Sequence, residues 1–160
     1  MVKKSIVIYV CFVIFVVGHF GCRKTGLKGL VSCQGVVTLD SKPVEGAFVT
    51  FIPKTTADGS GQEQRNASAT SAADGHFKMT TLREGDGIFP GTYTVIVTKH
   101  EMTGEVVVLP EIDNETGEHL TIQKSANRLP KKYEIANTSP LEITIPKSGD
   151  KKVELSLDSK

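Results

Sequence analysis

Tryptophan is absent, and aromatic residues make up only 6% of the 160 positions. Few rings are left of the kind that sugar-binding sandwiches expose for stacking. An excess of one charge is lacking too. Nineteen bases face 18 acids and the formal net charge is +1, which removes the electrostatic case for a nucleic-acid partner. After Cys22 no segment repeats its apolar residues with the 3.6-residue period of an amphipathic helix. The signatures of common hydrolytic chemistry are also missing. None of the histidines, His19, His76, His100 and His119, lies in an H-E-x-x-H motif, and there is no G-x-S-x-G elbow. Asp113, Glu115 and Glu118 bring carboxylates together but do not follow the spacing of a calcium loop.

What is present begins at the N-terminus. "MVKK" is a short basic segment, and Ser5 to Val17 is an apolar run of 13 residues. That length matches a signal peptide and is short of the roughly 20 apolar residues a spanning helix needs. Extended to Gly21 the run reaches 17, so an uncleaved anchor stands as the second reading. Gly21-Cys22 then resembles the lipobox of bacterial lipoproteins, in which a cysteine follows a small residue. The resemblance implies diacylglycerol on the Cys22 thiol, cleavage before it, and residues 1–21 as the signal. His19 and Phe20 depart from the pattern, which has leucine and a small residue there, and ordinary signal cleavage near Gly21 is the rival. Attached acyl chains contribute about 0.8 kcal/mol per buried methylene, so two chains anchor stably. Without Lys3 and Lys4, 17 of the 19 bases face 18 acids, and the mature chain is close to neutral.

The cysteines divide accordingly. Cys11 is discarded with the signal and Cys22 is lipidated. Cys33 is left without an intramolecular disulfide partner, unless Cys22 stays unmodified and pairs with it. It alternates with Gly35, Val37 and Leu39 on one strand face, where a lone thiol packs as a small apolar group.

Residues 22–29 form a tether carrying Arg23, Lys24 and Lys28. From there the apolar period is two. "VSCQGVVTLD" is a first strand ending in the turn residues Asp40, Ser41 and Pro43. "GAFVTFIP" is a second, with Ala47, Val49 and Phe51 on one face. Residues 54–72 make a polar loop too hydrophilic to bury. "DGHFKMTTL" starts on the turn signal Asp74-Gly75, and Tyr93, Val95 and Val97 alternate in the next strand. "LEITIP" and "KKVELSL" are two short final strands. Many short strands at hairpin spacing predict an antiparallel sandwich. Residues 100–132 stand apart, with apolar triplets near Val106–Val108 and around Leu120 and Ile122. They form either an extra hairpin or a long partly ordered excursion, and a connection of that length is commonly functional.

These residues carry a second resemblance. "VSCQGVVTLDSKPVEGAFVTFIP", "SAADGHFKM", "REGDGIFPGTYTVIV" and "LPKKYEIANTSPLEITIP" stand in the order found in carboxypeptidase regulatory-like (transthyretin-like, prealbumin-type) domains of small bacterial lipoproteins. The resemblance covers residues 30–158, apart from 100–128. It implies an all-β, seven-stranded Greek-key sandwich (prealbumin-like or Ig-like), exported and commonly without activity of its own. The hydrolase branch of transthyretin-like proteins ends in Tyr-Arg-Gly-Ser, whereas this chain ends in "LSLDSK". Tyr93 is expected as a half-buried ring at the sandwich edge.

The combined expectation is a non-enzymatic lipoprotein of the cell envelope, held at the membrane through Cys22 and facing periplasm or cell exterior. Loops 54–72 and 100–132 would present its contact surface to envelope proteins or glycans. No metal, cofactor or nucleic acid is expected. The alternative is a glycan- or peptide-binding module, for which Phe89 and Tyr133 are the rings left over from the core faces.

Overall fold

The computed structural model describes residues 27–54 and 64–160, so the expected signal segment, Cys22 and most of the expected tether lie outside the described residues. The described chain is all-β apart from one turn of 3-10 helix at Lys131–Tyr133. Its centre is β1 (Cys33–Leu39), in which Cys33, Gly35 and Val37 are buried. One turn later comes β2 (Lys42–Pro43), which folds back on β1. The turn has positive φ at both Asp40 and Ser41, the geometry of a primed hairpin turn that matches strand twist. The strand β3 (Phe48–Pro53) follows, then β4 (Ala67–Thr70), β5 (His76–Lys78) and β6 (Gly91–Thr98). A long pair, β7 (His100–Ile112) and β8 (His119–Asn127), precedes the last two strands, β9 (Glu142–Ile145) and β10 (Asp150–Leu157).

Eight of these strands make two sheets. In the first, β1 lies between β10 on one side and β2 and β5 on the other. In the second the order is β4-β3-β6-β9, antiparallel throughout. One core serves both sheets, with Val37, Phe77, Val153, Leu155 and Leu157 from the first meeting Val49, Phe51, Tyr93, Val95, Val97 and Ile145 from the second. Across the middle, Phe51 and Phe77 meet edge-on at 6.4 Å between ring centroids. Such a pair contributes about 0.5–1.5 kcal/mol beyond the area it buries.

Three expectations need correction. The first and last strands, β1 and β10, run parallel, so the fold is not purely antiparallel. A two-residue apolar period reports which face a strand buries and says nothing about its direction. The polar segment 54–72 contains β4, which pairs with β3 from Phe48↔Thr70 to Phe51↔Ala67, and its Ser71 is buried. Ser71 Oγ accepts from the Ala47 N–H at 2.9 Å and donates to the Val44 carbonyl at 2.6 Å, which removes the cost of burying it. Tyr93 is fully buried, not half-buried, and its hydroxyl donates to the Phe89 carbonyl at 2.6 Å. This is the arrangement of a tyrosine corner, in which a phenol secures the backbone just before its own strand.

Gly35 is required by a close approach. A Cβ there would stand 2.2 Å from the Val153 carbonyl oxygen and 2.7 Å from Cζ of Phe77, so only hydrogen fits between β10 and the Phe77 ring. Cys33, two residues earlier, has no exposed surface. Burial, and secondarily the nearby Asp150 carboxylate, push its thiol up to about 12. The packing reading of this thiol therefore matches its surroundings.

Candidate functional site

The segment 100–132 takes the hairpin form. Among the described residues β7 and β8 pair only with each other and add to neither sheet, which leaves both outer edges of the hairpin without a described partner strand. At its base Asn127 holds the two strands to the body, its Oδ1 accepting from the N–H groups of Lys99 at 2.9 Å and Leu129 at 3.1 Å. Beside it Glu101 receives Arg128 Nε at 2.9 Å and Lys99 Nζ at 3.2 Å. The hydrogen bonds from Lys99 and then Arg128 keep the Glu101 carboxyl below its ordinary range.

Pairing across the hairpin sorts its side chains by face. Met102↔Ser125, Val106↔Gln123, Val108↔Thr121 and Ile112↔His119 share one face. Val107↔Ile122 belongs to the other. Met102 is 67% exposed, Val108 61%, Ile112 53% and Val106 52%, and Leu120 and Ile122 are exposed as well. An apolar ribbon this long without a covering layer is unusual for a protein that works alone. A two-stranded hairpin is also only marginally stable by itself. The strand β7 is irregular in two places: the register slips between Met102 and Val106 and again between Val108 and Ile112.

The hairpin tip is acidic. Between Glu105 and Gln123 the sequence has five carboxylates, Glu105, Glu111, Asp113, Glu115 and Glu118, and neither lysine nor arginine. Asp113 is a turn residue, since its Oδ1 accepts from the N–H groups of Glu115 at 2.8 Å and Thr116 at 2.9 Å. Those bonds, that of Thr116 first, hold its carboxyl down. Asp86, in the Gly85-Asp86-Gly87 segment, works the same way. Burial opposes its charge, yet the N–H groups of Thr81, Arg83 and Leu82 hold it below the usual range.

The histidines do not converge. His100 pairs with Asn127 at the hairpin base, whereas His119 faces Ile112 near the tip, its Nδ1 3.1 Å from the Leu109 carbonyl. His76 lies in the other half of the molecule, 3.1 Å from Asp74 in an exposed turn. Among the described residues no group of three His, Cys, Asp or Glu could hold a metal ion. Nor is any described histidine ring hydrogen-bonded to a serine, threonine or cysteine, the contact that activates a nucleophile. Phe89 and Tyr133, expected as exposed stacking platforms, are 5% and 2% exposed and belong to the interior. Tyr133 is held there by its hydroxyl, which accepts from the Asp158 N–H at 3.0 Å. The exposed ring among the described residues is Phe48, at 49%.

An open cleft of about 660 Å³ lies along the β1–β5 side of the body, lined by Gln34, His76, Lys78, Glu84 and Lys151 over a floor of Gly35 and Phe77. Its lining is polar and mixed in charge. No described helix is long and apolar enough to cross a membrane. Compared with known proteins, the chain matches no family model, no curated protein and no solved structure.

Proposed function

We propose that this chain is an exported envelope lipoprotein, anchored through Cys22, that performs no chemistry of its own and serves as an interaction module. The hairpin β7–β8 carries the reading: it leaves both sheets and holds Met102, Val106, Val108 and Ile112 in solvent. The body is a scaffold read as the seven-stranded Greek-key sandwich of a carboxypeptidase regulatory-like domain, with the two-residue β2 as an added hairpin return. The resemblance of its turn and strand segments to that family supports this finer reading. So does the way Asp74-Gly75 opens β5 and Tyr93 occupies β6. The tether sets the body off the membrane surface, and the hairpin makes the contact through an open strand edge. The peptide-binding alternative uses the same edge. Its glycan form is weakened because Phe89 and Tyr133 are buried.

Purification from native membranes in mild detergent, read by intact mass beside a Cys22→Ser variant, tests the anchor. The expected result is a wild-type mass lacking residues 1–21 and carrying acyl chains, with the variant released from the membrane. A mass that retains Met1 overturns the lipoprotein reading and leaves a spanning anchor in its place.

A further inference from the structure

The strand β7 is symmetric about Val107, and the symmetry is both chemical and geometric. Val106 and Val108 stand one residue to either side, and Met102 and Ile112 five residues to either side. All four share one face of the hairpin and all are more than half exposed. The two register slips fall at 103–105 and 109–111, also equidistant from Val107. A strand with a bulge is a poor partner for a regular strand, and bulges and prolines normally blunt an edge. Here Gly104, at φ +78°, and Pro110 mirror each other about the same centre. A partner strand that pairs with β7 must be irregular at matching positions. Another β7, turned end for end, meets that requirement.

We propose that the hairpin pairs with the hairpin of a second copy, β7 against β7 antiparallel, about a two-fold axis at Val107. This rests on the reading of the hairpin as the contact element and names its occupant. Val106 of each copy then lies opposite Val108 of the other, and Met102 opposite Ile112. A two-fold interface is self-complementary in this way, with residue i meeting j and j meeting i. Two marginal ribbons become one four-stranded sheet, which satisfies the number of strands an apolar face needs.

Charge decides the direction. Antiparallel pairing lays the acidic tip of one hairpin beside the base of the other, puts Lys99 opposite Glu115 and leaves Glu101 opposite Asp113 as the like-charge pair in register. At that base Lys99 and Arg128 share the single carboxylate of Glu101, leaving one positive charge in excess. A parallel pair would stack tip on tip and bring five carboxylates against five. Like charges directly opposite destabilise strand pairing. The strand β8 has no comparable centre, since Leu120 and Ile122 are followed by Lys124 and Ser125.

A single strand-to-strand seam of this length falls below the roughly 1,200 Å² of a standard interface. The pair is therefore weak in solution. Confinement of both copies to one membrane through their tethers raises the effective concentration and favours it.

Cysteine cross-linking of the full chain in mild detergent tests register and partner together. In the pairing proposed, residue 107 meets itself and residue 106 meets residue 108. Val107→Cys alone gives a disulfide-linked dimer, and a mixture of Val106→Cys with Val108→Cys gives the mixed dimer. Val106→Cys alone, Val108→Cys alone and wild type, whose free thiol after processing is the buried Cys33, each give roughly tenfold less, because the thiols lie out of disulfide reach. All three substituted positions lie on the hairpin, clear of the shared core. Self-links of Val106→Cys and Val108→Cys as abundant as the mixed dimer overturn the proposed register. Links from these cysteines to a different envelope protein, with none between copies, overturn the second copy and leave the hairpin as contact element. No links of any kind overturn both.

Discussion

A phenol with no exposed surface has to place its proton on a neighbour, and Tyr93 places it on the Phe89 carbonyl at 2.6 Å. Burial, with the Cys33 thiol adding a smaller effect, pushes Tyr93 up to about 12 from 10.0. The folded state therefore favours the neutral phenol. The stability tied to that preference is fully present below pH 10 and is lost as pH rises toward 12. Cys33 adds a second loss with the same sign, from pH 9.0 toward 12. Tyr93→Phe is expected to cost about 1–2 kcal/mol at neutral pH, because the Phe89 carbonyl is left unpaired in the interior. The same variant should lose stability less steeply than wild type between pH 10 and pH 12, as read by chemical denaturation at stepped pH. An equal slope for the two proteins would place the alkaline transition elsewhere.

At the scale of elements, the body and the hairpin should differ in how often they open. Asn127 and the Glu101 ion pairs fasten the hairpin at its base, but β7 and β8 contribute nothing to the shared core. Native-state hydrogen exchange should show the amides of 103–124 exchanging orders of magnitude faster than those of β1, β3 and β6, which open only with the whole fold. Equal protection in hairpin and body, under conditions where the protein is monomeric, would count against the hairpin as a separate unit. Which elements the sequence made legible follows from side-chain size. The strands β1, β3 and β6 could be read directly, because Cys33 and Val37, Val49 and Phe51, and Tyr93, Val95 and Val97 recur with a period of two and are large enough to mark a face. The strand β4 was not legible: Ala67 and Ala69 carry its inward face, and alanine has little strand preference. Phe89 and Tyr133 were misplaced because periodicity does not reveal what an irregular segment packs against. The position of the candidate site showed as a segment unlike the rest. Its two-fold symmetry did not, because the slips at 103–105 and 109–111 exist only once β8 is in register with β7.

At the scale of the whole molecule, the first sheet is completed by its last strand. Val153, Leu155 and Leu157 of β10 are all buried, and β10 is the partner along one entire side of β1. Full burial of a side chain of this size contributes about 1.5–3 kcal/mol, so three of them rival the roughly 5–15 kcal/mol net stability of a small domain. A chain ended after Pro146 should therefore show no cooperative thermal transition by circular dichroism. A sharp melt in that truncated chain would mean that the second sheet and β1 suffice. The parallel pairing of β1 with β10 also fixes an order in time. Leu39 is synthesised well before its partner Leu157, which follows it by 157 − 39 = 118 residues. At about 5–20 residues per second the strand waits on the order of ten seconds for its mate. Throughout that interval the nascent chain has an unfinished sheet that cannot lock, and it stays pliable enough to be threaded elsewhere before it closes.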